Sequence, residues 1–257
     1  MSTELTYADV LFKHFGFDVQ RIPTEAEERA DWKVTAGPFI ALVEEKIKLD
    51  DPQMLARRRA AFDDGKVFPT HVSLKPDNTL SGITRKAATQ IAATAAHVPH
   101  DFRIVWFTAA GQLHEAKQMQ YVATLYGSTN ILQLGQSQLK RCYFFRNSDF
   151  FRHRDTLDGA VVAELDNQNI SARLCLNPLS PRYDKLKASP LSACFGTAIV
   201  DPLKEESDGE AYLVDCDLDR GKKNEVLKFL QSKYGVDKIM DMDMNFARAE
   251  VAIKADG

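Results

Sequence analysis

The sequence predicts an α/β protein with a mixed central sheet flanked by helices. Residues 39–43 form an unbroken apolar run of strand length, which is typical of a strand covered on both faces. Residues 102–108 form a second such run, and helical patterns separate the strands. If residues 50–64 are set aside as an inserted helix, the order up to residue 134 is α-β-β-β-α-β-α-β.

The first helix and the three strands after it follow one another closely. Ser2 or Thr3 is a candidate N-cap for the helix, and Gly16 ends it. The three strand-like runs are 17–22, 31–36 and 39–46. A Gly-Pro linker joins the second run to the third, and it is short enough to make them a hairpin.

Two carboxylates and a lysine are expected at the open end of this hairpin. Side chains alternate across a strand, so Glu44 and Lys46 project to one face and Glu45 to the other. Asp31 opens the preceding strand and can approach Glu44 and Lys46 at the rim where the buried strand meets solvent. The pattern predicts a single site with these three residues, and it predicts that the loss of Glu45 matters less.

These residue types suit metal-dependent phosphodiester hydrolysis. Carboxylate oxygens bind hard divalent cations such as Mg²⁺, which keep several waters and share substrate phosphates. Such an ion polarises a phosphoryl oxygen and helps to make hydroxide from its bound water. A lysine beside it orients the nucleophile and stabilises developing charge. A simpler interpretation stays open, in which residues 44–46 are a solvated strand end and Asp31 is an ordinary turn residue.

The spacing resembles the motif of the PD-(D/E)xK nuclease superfamily, in which an aspartate is followed about a dozen residues later by Glu-x-Lys at the end of an apolar strand. The match covers Asp31, Glu44 and Lys46, whereas Ala30 replaces the proline that usually precedes the aspartate. The resemblance implies a restriction-endonuclease-like core over residues 1–140, with an α-β-β-β-α-β order. It also implies that Asp31 and Glu44 hold Mg²⁺, for which Mn²⁺ substitutes, and that Lys46 assists the attacking water.

The helix predicted over residues 79–97 supplies two weaker candidates. Lys86 and Gln90 lie one turn apart on the flank of its apolar face, where either could contact a phosphate or Lys46. The resemblance implies that Gln90 approaches the site, because many nucleases of this group carry a glutamine on the helix after the Glu-x-Lys strand. The alternative, that Gln90 is a surface residue that packs its stem beside the core, is equally open.

Two groups of arginines are candidates for contacts with nucleic acid. Arg57, Arg58 and Arg59 lie on the helix predicted over residues 50–64, where a solvated helix face is favoured over a phosphate contact. Further arginines alternate with aromatic residues between 140 and 154, a pattern that can grip a nucleic-acid strand. Because those aromatic residues come in tight pairs, a buried aromatic face is favoured there too.

Residues 141–257 are predicted to form an α+β extension that covers the sheet or forms a substrate wall, and that packs on the core as one unit. Its expected elements are strands at 159–165, 169–177, 196–200 and 212–216, a flexible charged link at 204–209 and a helix at 222–234. Alternating methionines from residue 240 indicate one more half-buried strand.

Composition limits the class of protein and its partners. The chain has 257 residues and a net charge of −3, so any contact with DNA must come from local basic clusters. It contains no apolar run long enough for a membrane span and no leader pattern at the N-terminus. The four cysteines are scattered without metal-ligand spacing, as expected for buried thiols in a reducing cytoplasm.

The sequence therefore predicts a cytoplasmic, Mg²⁺-dependent nuclease that hydrolyses DNA phosphodiester bonds. The alternative is a non-catalytic, nuclease-derived module that binds nucleic acid or protein. The intact Asp, Glu and Lys set favours the enzyme, and the acidic net charge favours the module. An unrelated α/β protein with coincidental charges is a third interpretation. Many nucleases of this type act as dimers, so the resemblance allows a homodimer, although no sequence feature indicates one.

Overall fold

The computed structural model describes residues 6–23, 29–135, 139–166, 169–242 and 247–251. The helices are α1 (Tyr7–His14), α2 (Pro52–Asp63), α3 (Asn78–Ala95), α4 (His114–Tyr126), α5 (Asp149–Arg152), α6 (Tyr183–Lys187), α7 (Pro190–Phe195), α8 (Pro202–Ser207) and α9 (Lys223–Tyr234). The strands are β1 (Asp18–Arg21), β2 (Trp32–Ala36), β3 (Phe39–Lys48), β4 (Phe68–Val72), β5 (Phe102–Ala109), β6 (Thr129–Gln133), β7 (Leu139–Phe144), β8 (Gly159–Asp166), β9 (Asn169–Leu176), β10 (Ile199–Val200), β11 (Ala211–Val214), β12 (Ile239–Met242) and β13 (Ala247–Val251).

A seven-stranded mixed sheet forms the centre of the fold, in the order β1-β2-β3-β5-β8-β9-β10. The strands β1, β2 and β3 are antiparallel neighbours, and the pairs β3–β5 and β5–β8 are parallel. The carboxyl ends of β3, β5 and β8 therefore lie at the same edge of the sheet. In α/β sheets, this edge is where ligands bind.

The predicted α/β class and its mixed, helix-flanked central sheet are confirmed. The helix α1 precedes the antiparallel strands β1, β2 and β3, and α3 connects β3 to the parallel strand β5. The connection also contains α2 and β4, and β4 pairs with β13 outside the main sheet. The strand β6, which the sequence also predicts, belongs to a second sheet of order β11-β7-β6-β12.

Each face of the main sheet is covered by helices. One face packs against α3 and α4, and its core contains Leu42, Ile91 and Phe107. The opposite face packs against α1, α6 and α7, and its core contains Phe12 and Trp32. Every residue of β5 is buried, because this strand lies in the middle of the sheet beneath both helical layers. This is the environment that an unbroken apolar run predicts.

The main sheet continues across the predicted domain boundary at residue 140. The strands β8, β9 and β10 follow that boundary and pair, one after another, beside β5. Residues 141–257 thus complete the sheet that residues 1–140 begin. At the junction of the two parts, the buried carboxylate of Asp158 accepts hydrogen bonds from the backbone N–H of Arg103 at 2.8 Å and from Ser180 Oγ at 2.6 Å.

Three of the five aromatic residues between 140 and 154 are core residues, as favoured from the sequence, and Phe145 and Phe151 are half-buried. Tyr143, Phe144 and Phe150 are buried, and the ring of Phe150 packs edge-on against Tyr126 at a centroid distance of 5.0 Å. Arg141 donates a hydrogen bond to the hydroxyl of Tyr143 at 3.1 Å. This part of the cluster therefore stabilises the fold.

Other local predictions need correction. The charged segment 204–209 is not a flexible link, because it falls largely within α8, whose N-cap Asp201 accepts a hydrogen bond from Lys204 N. The helix α1 begins at Tyr7 with Thr6 as its N-cap, and the predicted caps Ser2 and Thr3 lie outside the described residues.

The cysteines are free thiols, and the prediction that they are buried holds for two of them. Cys142 and Cys175 are buried, and burial raises the pKa of both. Cys194 is exposed and Cys216 is half-buried, so for these two the prediction is wrong. Within the described part of the chain, no helix is both long and apolar enough to cross a membrane.

Candidate active site

The hairpin of β2 and β3 brings the predicted aspartate beside the predicted glutamate. Trp32 pairs with Val43 in the antiparallel register of β2 and β3. Asp31 and Glu44 come next along the two paired segments, so they lie opposite each other. Asp31 Oδ2 accepts a hydrogen bond from the backbone N–H of Glu45 at 2.8 Å. This bond fixes the aspartate against the strand that carries the Glu-x-Lys sequence.

Glu44 and Lys46 form a contact on the face of β3 that α3 covers. Lys46 Nζ donates a hydrogen bond to Glu44 Oε1 and another to Gln90 Oε1, the latter at 2.9 Å. The carboxylate of Glu44 is only 1% exposed, and its second oxygen, Oε2, has no hydrogen-bond partner among the described residues. The structure therefore brings together Asp31, Glu44 and Lys46 from the hairpin with Gln90, which lies 44 residues after Lys46.

Burial and charge together make Glu44 an unusual carboxyl group. Burial raises the pKa of Glu44 to about 7, and the negative charge of Asp31 also raises it. The hydrogen bond from Lys46 lowers the pKa but does not offset these effects. A single lysine thus does not fully compensate the charge of two neighbouring carboxylates. Perturbed carboxyl groups of this kind are common in functional sites.

The site is held in place by a bond between α3 and the chain that enters β2. The backbone N–H of Ala30 donates to Thr94 Oγ1 at 2.7 Å, and the Thr94 hydroxyl donates to the carbonyl of Gln90 at 2.9 Å. Proline has no N–H and could not make the first of these bonds. Alanine at position 30 therefore allows a hydrogen bond that proline would not. Sequence analysis missed Thr94, although its position one turn after Gln90 was a signal.

Glu45 lies on the opposite face of the sheet, as strand alternation predicts. Its carboxylate accepts hydrogen bonds from the backbone N–H of Ala8 and from Trp32 Nε1, both at 3.1 Å. Burial raises its pKa. Glu45 thus binds the first turn of α1 to the sheet, and its contacts indicate a role in stability.

Lys86 lies on α3, one helical turn before Gln90, and is exposed. Its proposed contact with a substrate phosphate stays a prediction.

The donor set fits a hard divalent cation. Asp31 and Glu44 supply carboxylate oxygens, and the buried Glu44 Oε2 lacks any other partner in the described structure. No cluster of three or more His, Cys, Asp or Glu side chains arranged for a metal occurs among the described residues. Mg²⁺ suits a site with two carboxylates, because it keeps several waters and shares the oxygens of a substrate phosphate.

None of the three comparisons, with protein-family models, with curated proteins and with solved structures, gives a match to this chain. Functional interpretation therefore rests on the geometry of its own residues.

The raised pKa of Glu44 predicts a pH dependence of stability. The pKa changes from 4.5, its ordinary value, to about 7 on folding. The folded protein therefore binds more protons between these values, and its free energy of unfolding falls as the pH rises through this window. The stabilisation is fully present below pH 4.5 and is lost, by on the order of 3 kcal/mol, once the pH passes 7.

Urea unfolding in EDTA at pH 5 and pH 8 measures this effect. We expect the Glu44→Gln variant to lose less stability than the wild type between the two pH values, because its amide does not titrate. Equal losses in both proteins would show that Glu44 titrates normally.

Proposed function

We propose that this protein is a metal-dependent nuclease that hydrolyses DNA phosphodiester bonds. Its core is proposed to be restriction-endonuclease-like, formed by α1, the antiparallel strands β1, β2 and β3, the connecting helix α3 and the parallel strand β5. The observation that carries the proposal is the convergence of Asp31, Glu44 and Lys46 at one end of a buried strand. A coincidental set of surface charges would not account for a carboxylate that is 1% exposed.

Each residue of the cluster has a distinct proposed role. Asp31 and Glu44 hold Mg²⁺, or Mn²⁺ in its place. When bound, the ion polarises a phosphoryl oxygen and lowers the pKa of a coordinated water. Lys46 orients the attacking water and stabilises the charge that develops on the phosphate. Gln90 positions Lys46, because its Oε1 accepts a hydrogen bond from Nζ at 2.9 Å.

The candidate site can be reached from solvent on the side of Lys46. The side chain of Lys46 is 23% exposed, whereas that of Glu44 is 1% exposed. Glu44 lies deeper in the same cluster. A phosphate that approaches from solvent would meet Lys46 first and the carboxylates behind it. The cytoplasmic location stays a prediction, and the homodimer stays what the resemblance allows.

The Asp31→Asn variant tests the proposal. Supercoiled plasmid, linear duplex and single-stranded DNA are incubated with the wild type in Mg²⁺, Mn²⁺ or EDTA, and the products are separated on gels. We expect cleavage by the wild type that requires the divalent ion. We expect the variant to lose activity by about 100-fold or more, because the asparagine amide removes a negatively charged metal ligand.

The matched control is Asp155→Asn, which makes the same substitution at a side chain that is 81% exposed. This control should cut DNA as fast as the wild type. Isothermal titration measures binding of Mn²⁺. The enzyme should bind the ion, whereas a non-catalytic module does not require it. Absence of cleavage of every DNA and RNA form would refute the nuclease, and equal activity of Asp31→Asn and wild type would refute the assigned site.

A further inference from the structure

A groove of about 780 Å³ opens beside the end of β3, between that strand, α2 and β4. Lys48 lines the groove and projects from the same face of β3 as Glu44 and Lys46. It lies two residues beyond Lys46, which is about 7 Å along the strand. The groove therefore begins where the candidate active site ends.

The groove has an apolar wall that remains open to solvent. Leu49 is 65% exposed and Ile47 is 44% exposed. Phe68, a half-buried ring on β4, lines the groove as well. Together these three side chains form part of the apolar lining of the groove. This surface suits a flat, apolar ligand face.

The acidic residues of the groove are already engaged within the protein. Asp50 contacts Lys117 Nζ and accepts a hydrogen bond from the backbone N–H of Gln112 at 2.9 Å. Asp51 is the N-cap of α2 and accepts from Gln53 N at 2.9 Å. Their charges are thus partly compensated, and they oppose an anionic ligand less than their number suggests.

The polar groups that remain can bind a nucleotide. Neither Lys48 nor Arg57 has an ion-pair partner in the described part of the chain, and both line the groove. Arg57 is exposed on α2, a helix with no buried residue. The amide oxygen of Gln112, Oε1, is buried at the groove and has no hydrogen-bond partner among the described residues. The apolar wall is therefore surrounded by two cations that can bind a phosphate and by one amide that can bind the edge of a base.

We propose that this groove holds an unpaired nucleotide of the DNA strand beside the scissile bond, so the preferred substrate is single-stranded DNA or DNA with an unpaired end. The inference rests on the proposed function for its link to cleavage. The base stacks on Phe68, and Arg57 and Lys48 contact the adjacent phosphates. Paired DNA would offer phosphates to the cations but would hide its base faces from the apolar wall.

Binding measured without a divalent ion tests the inference separately from catalysis. Fluorescence anisotropy in EDTA compares a labelled single strand of about 15 nucleotides with the duplex of the same sequence. We expect the wild type to bind the single strand more tightly. The Phe68→Ala variant should bind it about fivefold or more weakly, because base stacking on an aromatic ring is lost.

A second pair of variants tests the groove independently, in case Phe68→Ala does not fold. Leu49→Asp places a carboxylate in the groove at a position that is 65% exposed, and it should weaken binding by about tenfold. Val67→Asp makes a similar change at a position that is 53% exposed and outside the groove lining, so it serves as the control. Arg57→Ala removes a proposed phosphate contact and should also weaken binding. Its control is Arg59→Ala, because Arg59 is exposed on the same helix but does not line the groove.

The outcomes separate the two proposals. Tighter binding of the duplex, or equal losses in the groove variants and their controls, would overturn the groove. Groove-dependent binding of single strands by a protein that never cuts DNA would support the groove and refute only the nuclease. Cleavage of DNA at wild-type rates by Leu49→Asp and Phe68→Ala would support the nuclease and overturn the groove.

Discussion

Replacement of Lys46 by methionine is expected to slow DNA cleavage by about 100-fold or more and to leave Mn²⁺ binding within about threefold at pH 8.5. The ammonium group is proposed to stabilise charge that appears mainly in the transition state, and removal of one such preorganised donor costs about 100- to 1,000-fold in rate. Methionine has an unbranched side chain of similar length, so it can occupy the partly buried position of Lys46. The loss should therefore appear in kcat rather than in folding.

Cleavage and Mn²⁺ binding are measured at pH 8.5 because of the effect of Lys46 on Glu44. Lys46 lowers the pKa of Glu44, so its removal allows this pKa to rise further above 7 and favours the protonated acid at neutral pH. A protonated carboxyl is a poor metal ligand, and measurement at pH 8.5 limits that indirect effect. Lys185→Met, an exposed substitution on α6 at the other face of the sheet, is the control. Full activity of Lys46→Met would exclude a catalytic role for this lysine.

Replacement of Asp158 by alanine is expected to lower the free energy of unfolding by about 3 to 5 kcal/mol. This carboxylate is fully buried, and it receives hydrogen bonds from the backbone and the guanidinium of Arg103. It also accepts a hydrogen bond from Ser180. Removal of one partner leaves the other charge buried and uncompensated, which is more costly than the loss of the attraction itself. Because Arg103 lies in β5 and Asp158 directly precedes β8, the damage falls at the middle of the sheet.

Urea unfolding monitored by circular dichroism at pH 7 measures this effect. Asp155→Ala removes a carboxylate three residues earlier that is 81% exposed, and it should change the free energy of unfolding by less than about 0.5 kcal/mol. A loss below about 1 kcal/mol for Asp158→Ala would show that Arg103 finds another acceptor.

The candidate site was predictable because it depends on local rules. Strand alternation placed Glu44 and Lys46 on one face and Glu45 on the other, and the short linker placed Asp31 beside them. The contact of Gln90 with Lys46 depends on the rotation of α3 against the sheet. Spacing from the apolar face of the helix predicted only its approximate direction.

Long-range pairing was not predictable in the same way. The strand β4 pairs with β13, which lies near the other end of the chain, and no local pattern specifies this partner. The strands β8 and β9 have the expected bounds, but their place beside β5 depends on the edge that β5 leaves open. The prediction of a flexible link at residues 204–209 was wrong because it relied on charge. Charged residues indicate solvent exposure, but they do not reveal the backbone conformation of a capped helix.

The shared sheet limits how the chain can be shortened. A fragment that ended at residue 140 would retain Asp31, Glu44, Lys46 and Gln90 but would lose β8. The strand β5, buried along its full length, would then become an edge with unpaired backbone groups and an apolar surface. Such edges pair with one another and cause aggregation. A shorter chain that keeps the candidate site would therefore have to extend at least through β8, so that the strand with the longest buried run remains paired on both sides.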